Sequence, residues 1–379
     1  MPPHRGAFYA VRCFHVETAS IGDAARGNAG AGRMRVQWWR DVVHGIYSEE
    51  DGDRSGDSNH GLVGVPDGVA RPWPQSGARR GVPSGYPVVS CLADAVGAHG
   101  LSRRWLDKAL DARARDLDVS QPATVGDLER YCDHAHGSLL LLALECLAPG
   151  GGGGCGGAGL HVGADLAATH AGIAVGMCTL LRGAAVHAGR GLLPGVPADV
   201  LKRHGCRPSH LLAGPPPPDL FDEAADDALP EVEAEARRRR RQVPLRTEAE
   251  AAAARAAVRE VAARAAAHLA AAEDLCAGRV PAGSTSGGGG SSGGSSGGCS
   301  GDEAAAAAAA AASDFGYGPE DATAVGASGA LTGPQRLAFL PCVRAAAYLK
   351  ALDAAGHDLW HPCLWPRPRW AILCTSHLT

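Results

Sequence analysis

The strongest chemical signal in this chain is a long stretch that has lost one sign of charge. Between Asp165 and Asp199 there is no Asp or Glu, yet Arg182, His187 and Arg190 all fall there. Guanidinium forks and an imidazole at that spacing suit a phosphate-type anion held without metal. The same side chains could instead fix the loop by donating to backbone carbonyls. Acids able to bind a divalent ion lie elsewhere. Glu17 and Asp23 are six residues apart, which at about 100° per residue sets them about 120° apart around a helix, too far to share one ion easily. Asp111, Asp116 and Asp118 alternate with Arg113 and Arg115, the pattern of a solvated, ion-paired helix face.

Other spacings with chemical potential carry less. Cys132 and His136 are four apart on an expected helix, but no second pair closes a tetrahedral site. His357 and His361 have H-x-x-x-H spacing, but Gly356 and Pro362 bracket them, so no sustained helix presents both rings. The G-x-G-x-x-G within Gly150–Gly159 follows a helix rather than a strand, and the dinucleotide fingerprint is not met. Arg237–Arg241 has an acidic stretch just upstream and no interleaved aromatics, which reads as a solvated insertion and not as a nucleic-acid patch.

The 379 residues carry 36 basic and 40 acidic side chains, a formal net charge of -4. That balance gives no global field for nucleic acid or an anionic membrane, so any anionic partner must be read by a local patch. The 12 cysteines are scattered from Cys13 to Cys374 without a C-x-x-C pair, which argues against a zinc module or a disulfide framework and for a reducing compartment. Met1–Gly6 leads into an apolar helix with no recognisable targeting segment. The apolar run Leu166–Leu181 falls short of the ~20 residues a bilayer span needs and reads as a buried helix.

The elements that must position these residues are helical throughout, about 250 packed residues with insertions between them. Residues 1–47 form a helix pair broken at Gly27–Gly32, the second helix striped by Val36, Trp39, Val43 and Ile46. Residues 48–85 are a low-complexity insertion. The central helices occupy 86–214: Pro87–His99, then Trp105–Leu117 with Ser102 as N-cap, then Val125–Leu147 capped by Thr124. Leu139–Leu144 is apolar on all sides, the mark of a core helix. After the Gly150–Gly159 connector come a helix over His161–Arg182 and a short one over Pro197–His204. A Pro/acidic/Arg-rich insertion (215–245) precedes a bundle helix in 246–283, spanning Thr247–Cys276 with Arg255 and Arg259 on its solvent side. A Gly/Ser and polyalanine linker (284–333) leads to the last bundle helix within 334–364, spanning Gln335–Ala355 and carrying Leu337, Leu340, Val343, Ala347 and Leu349. The tail, 365–379, is irregular. With no strand signal, the class is all-α.

Four blocks, Phe8–Tyr47, Leu101–Leu147, His161–Gly205 and Leu337–Leu364, together resemble the squalene/phytoene synthase family. Thr179-Leu180-Leu181-Arg182 and Gly189-Arg190-Gly191-Leu192-Leu193-Pro194 stand where the second signature of that family has them. Gly183 and Val186-His187 fill positions where it carries aspartates. The resemblance implies an isoprenoid-synthase helical bundle with a central cavity. An active member joins two prenyl diphosphates head to head, using carboxylates on two facing helices to hold Mg²⁺ against the leaving group. Here the first acidic site is reduced to Glu17 and Asp23, the second has no acid, and Asp111, Asp116 and Asp118 fall on a neighbouring helix. Glu17, Asp23, Asp111, Asp116, Arg182, His187 and Arg190 are therefore expected to be degenerate active-site positions that contact a ligand, with no catalytic residue, metal or cofactor.

Within the family, the blocks are most similar to the branch that works in assembling the membrane arm of mitochondrial respiratory complex I. That implies a non-catalytic mitochondrial protein on the matrix side of the inner membrane, peripherally associated with it. Its partners would be complex I subunits or other assembly factors, with a prenyl or lipid ligand in the cavity. Two alternatives remain open on the sequence: a Mg²⁺-dependent phytoene/squalene synthase-type prenyltransferase, and a hydrophobic-ligand or lipid-binding module.

Overall fold

The computed structural model describes residues 3–25, 28–48, 85–119, 121–147, 162–188, 191–193, 195–212, 247–279 and 329–364. The expected insertions and linkers, and the tail 365–379, lie outside the described residues or contribute only their edges to them. Every regular element among the described residues is helical. In chain order these are α1 (Pro3–Ala19), α2 (Ile21–Ala24), α3 (Ala29–Ser48), α4 (Pro87–His99), α5 (Arg103–Asp116) and α6 (Val125–Cys132). A π-helical turn, Asp133–Gly137, joins α6 to α7 (Ser138–Leu147). There follow α8 (Val162–Arg182), α9 (Ala184–Ala188), α10 (Ala198–Arg203), α11 (Pro208–Leu212), α12 (Glu248–Cys276) and α13 (Gly333–Arg336). A 3-10 turn, Leu337–Phe339, leads into α14 (Leu340–Ala354).

The central helix is α8. It packs against α6, the π turn, α7, α12 and α14, and its residues are buried nearly all round. By length and composition it could cross a membrane, but here its apolar surface is covered by other helices of the same chain. Two glycines set how closely it packs. A Cβ on Gly172 would lie 2.3 Å from both Cα and N of Gly137, and one on Gly176 would lie 2.6 Å from Cys132 Cβ. One turn apart on α8, these two positions let it rest directly on the backbone of the π turn and the end of α6.

Three apolar clusters share this axis. One gathers α1, α3, α4 and α5 around Phe14 and Trp39, whose rings meet edge to face at 5.2 Å. A second joins α6, α8, α10, α12 and α14, and the third lies between α7, α8 and α12. The expected Val36, Trp39, Val43 and Ile46 stripe is buried, as are Leu139–Leu144 and Val258, Val261, Ala265, Leu269, Ala272 and Leu275.

Helix ends follow local chemistry. Thr124 and Thr247 each close a capping box, with Asp127 and Glu250 respectively. Ser102 occupies the position before α5 with extended backbone, but its side chain caps nothing; its N–H instead donates to Glu145 Oε2 at 2.8 Å. The last helix does not bury several of its larger apolar residues. Leu337, Leu340 and Val343 are exposed, and Ala338, Phe339, Ala345 and Leu352 are buried instead.

Gly172→Ala should destabilise the protein by about 2 kcal/mol or more, because the clash is with backbone and exceeds the ~1 kcal/mol that Ala gains over Gly inside a helix. Gly6→Ala, whose Cβ would meet nothing within 4 Å, should leave the melting temperature unchanged or slightly raised. Thermal unfolding followed by circular dichroism separates the two.

Candidate functional site

Between α1, the π turn with α7, α8 and α14 lies a cavity of about 290 Å³. Its walls are apolar, with Phe8 and Val11 from α1, Leu139 and Leu140 from α7, and Val175 from α8. The polar groups facing it are Arg12, His15, His136, Thr179, Arg182, Arg344 and Tyr348; no Asp or Glu lines it among the described residues. The π turn positions one of these. Its wider winding turns His136 toward His15, with ring centroids 5.5 Å apart. On the same turn, Asp133 accepts from Lys108 Nζ at 2.6 Å.

Both imidazoles are held neutral. Burial comes first, and the neighbouring ring together with Arg113 and Arg12 adds to it, lowering His15 to about 2. His136 falls to about 3 from burial and then from the same two arginines. Behind the cavity wall runs a polar chain. Arg113 lies 3.4 Å from His15 Nδ1 and donates to the Tyr131 hydroxyl at 2.7 Å, and that hydroxyl donates to Asp116 Oδ2 at 2.9 Å.

The acids singled out in the sequence do not converge on the cavity. Glu17, on α1, accepts from Arg35 at 3.3 Å and from the Tyr86 hydroxyl at 3.1 Å, tying α1 to α3 and to the start of α4. Asp23 is exposed and sits on α2, a different helix from Glu17. Asp111 pairs with Arg40 at 2.7 Å and Asp118 with Arg33 at 2.5 Å, both on the outer face between α3 and α5. Asp116 belongs to the Arg113–Tyr131 chain.

The expected cationic group is divided. Arg182 lines the cavity, whereas the His187 ring folds back over Gly183, so close that a Cβ there would lie 2.9 Å from Nε2. The His187 ring thus takes up the space beside a position where the resemblance expects an aspartate. Arg190 lies outside the described residues.

A second buried polar group has no counterpart among the sequence expectations. Glu129, 1% exposed, accepts from Arg264 and from His268, the latter at 3.1 Å. His268 Nδ1 lies 2.8 Å from His170 Nδ1, so one of those nitrogens must carry the proton between them. This links α6, α12 and α8. Burial pushes the Glu129 carboxyl up, but the hydrogen bonds from His268 and Arg264 outweigh it and leave it below the usual range. His170 is lowered to about 3, chiefly by burial and then by His268. Arg264 and His268 at i, i+4 on an alanine-rich helix are the visible signal. For Arg12, His15, Arg344 and Tyr348 no local signal exists, because only tertiary packing brings the two ends of the chain together.

The squalene/phytoene synthase family model matches residues 1–246. The chain belongs to the squalene/phytoene synthase family. Its all-α isoprenoid-synthase bundle is the one the sequence blocks led us to expect. Among curated proteins it is similar to NADH dehydrogenase (ubiquinone) complex I, assembly factor 6, of Bos taurus, 32% identical over 201 residues, which are 53% of this chain and 47% of that one. The Homo sapiens protein of that name is 31% identical over 201 residues, with the same shares, and the Dictyostelium discoideum homolog 26% over 216, or 57% and 48%. The chain thus spans about half the length of the curated relatives it matches. Among solved structures, a dehydrosqualene synthase in complex with ligand is 19% identical, covering 68% of this chain and 74% of that one, with a TM-score of 0.38.

The donor set does not fit a magnesium-bound diphosphate. Mg²⁺ is held by carboxylate oxygens, and the described side chains facing this cavity are guanidinium, imidazole, hydroxyl, thiol and hydrocarbon.

The buried imidazoles set a pH dependence. His15, His136 and His170 stay neutral in the folded protein, whereas in the unfolded chain they take up protons below about 6.5, so stability should fall as the pH drops from 7 to 5. His170→Gln should flatten that fall, as measured by urea unfolding at several pH values. Glu129 works at lower pH: its folded value is depressed, so its contribution is present above about 4.3 and is lost as the pH falls through the folded value.

Proposed function

We propose that this chain is a non-catalytic member of its family that acts in assembling the membrane arm of mitochondrial respiratory complex I. One observation carries the reading: among the described residues, the cavity that would have to grip a metal-bound diphosphate presents arginines and no carboxylate, while the nearby acids are engaged by Arg35, Arg40, Arg113 and Arg33. Without acids to hold Mg²⁺, the leaving group of a prenyl diphosphate has no metal to neutralise it as the allylic cation forms. The named relatives supply the role. A helical frame that keeps its cavity but not its acids is suited to presenting outer faces to other proteins. Its place would be the matrix side of the inner membrane, and its partners complex I subunits or other assembly factors.

Two measurements test this. Purified protein incubated with geranylgeranyl or farnesyl diphosphate and Mg²⁺ should give no head-to-head product; turnover near that of an active synthase contradicts the reading. Deleting the gene should lower assembled complex I and leave carotenoid and sterol content unchanged. Loss of carotenoid or sterol with normal complex I would establish the prenyltransferase instead.

A further inference from the structure

The cavity described above gathers three exposed arginines beside apolar walls. Arg12 comes from α1, Arg182 from the end of α8 and Arg344 from α14, and all three line it. All three are exposed residues that reach the cavity from its open side, and none makes an ion pair with another described residue, whereas Arg35, Arg40 and Arg33 are taken up by Glu17, Asp111 and Asp118. The Tyr348 hydroxyl, which faces the same space, is buried without a hydrogen-bond partner. A buried hydroxyl left without a partner costs about 1 to 3 kcal/mol, and converging guanidinium groups repel one another. Arg344 is close enough to act on Arg12, whose pKa is lowered by burial and then by that neighbour. His15 and His136, being neutral, add no positive charge but can exchange hydrogen bonds.

These are the features a ligand would resolve. A phosphate monoester brings up to two negative charges and three acceptor oxygens, which match guanidinium forks and a phenol. The apolar wall between α1, α7 and α8 suits a single hydrocarbon chain. We infer that the cavity binds, without a divalent metal, an amphiphile with one apolar chain and a phosphate monoester head, the head held by Arg12, Arg182, Arg344 and Tyr348. The inference rests on the acid-free reading of the cavity and not on the complex I role, so either can fail alone. A head of this kind belongs both to a lysophosphatidate-type lipid and to a prenyl monophosphate.

The test is calorimetric titration of the whole chain in EDTA with 1-oleoyl lysophosphatidic acid and, separately, farnesyl monophosphate, each below its critical micelle concentration. Lysophosphatidylcholine and farnesol are the zwitterionic and neutral controls. At least one monophosphate should bind one to one without metal and about tenfold or more tighter than its control, because each charge-assisted hydrogen bond contributes on that scale. Which monophosphate binds tighter identifies the source of the head. The double variant Arg182→Gln/Arg344→Gln should weaken binding by about tenfold or more, and Tyr348→Phe by a few-fold. Removing unpaired like charges should not lower the melting temperature of the double variant. A requirement for Mg²⁺, equal affinity for the controls, or unchanged affinity in a folded double variant would overturn the inference. The comparison with the controls needs only the unmodified protein.

Discussion

The contact on which the rest of the molecule depends is the meeting of two glycines, Gly172 on α8 and Gly137 at the end of the π turn, with no room for a Cβ between them. An ordinary α-helical register through Asp133–Gly137 would present side chains along that seam. The extra residue of the π turn instead places Gly137 against α8, Asp133 toward Lys108 and His136 toward His15. With α8 seated this deeply, its far surface is free to receive α12 and α14. Its last turn then delivers Arg182 to the cavity. One close backbone approach thus fixes both the packing of the bundle and the composition of its cavity wall.

Charge is sorted on either side of that wall. Outside, Glu17, Asp111 and Asp118 each have their own arginine, and such exposed or half-exposed pairs contribute about 1 kcal/mol or less each. At the cavity, the exposed Arg12, Arg182 and Arg344 border apolar side chains and two imidazoles kept neutral by burial. The Glu129–Arg264–His268–His170 group is different again. It is buried and satisfied at its carboxylate, so removing Glu129 would strand the Arg264 charge, a loss of about 3 to 5 kcal/mol where a buried pair is broken. It ties α6, α8 and α12 together without contributing to the cavity.

Much of the fold is legible in the sequence. Periodicity locates the helices, and the missing acids between Asp165 and Asp199 are enough by themselves to point to the end of α8. Thr124 and Thr247 cap as their neighbours require, because a capping box involves only four consecutive residues. What the sequence does not supply depends on packing or on small changes in winding. Which face of α14 is buried is set by its packing against α8 and α12, where Ala345 and Leu352, and not Leu340 and Val343, meet the core. Cys132–Leu147 reads as one regular helix, since nothing in its residue types announces a π turn. Arg182 stands out from its local context, whereas Arg12 and Arg344 lie at opposite ends of the chain and gain meaning only when α1 and α14 flank the same space.

A cavity whose described lining offers arginines and no carboxylate should favour an anion over a divalent cation bound against a diphosphate. This preference is tested most directly by electron paramagnetic resonance of Mn²⁺ titrated into the protein with a non-hydrolysable farnesyl thiodiphosphate. The account predicts spectra identical to those of Mn²⁺ and the analogue without protein, at every ratio. A saturable protein-bound Mn²⁺ signal that appears only with the analogue, and is weakened by Arg182→Gln, would contradict it.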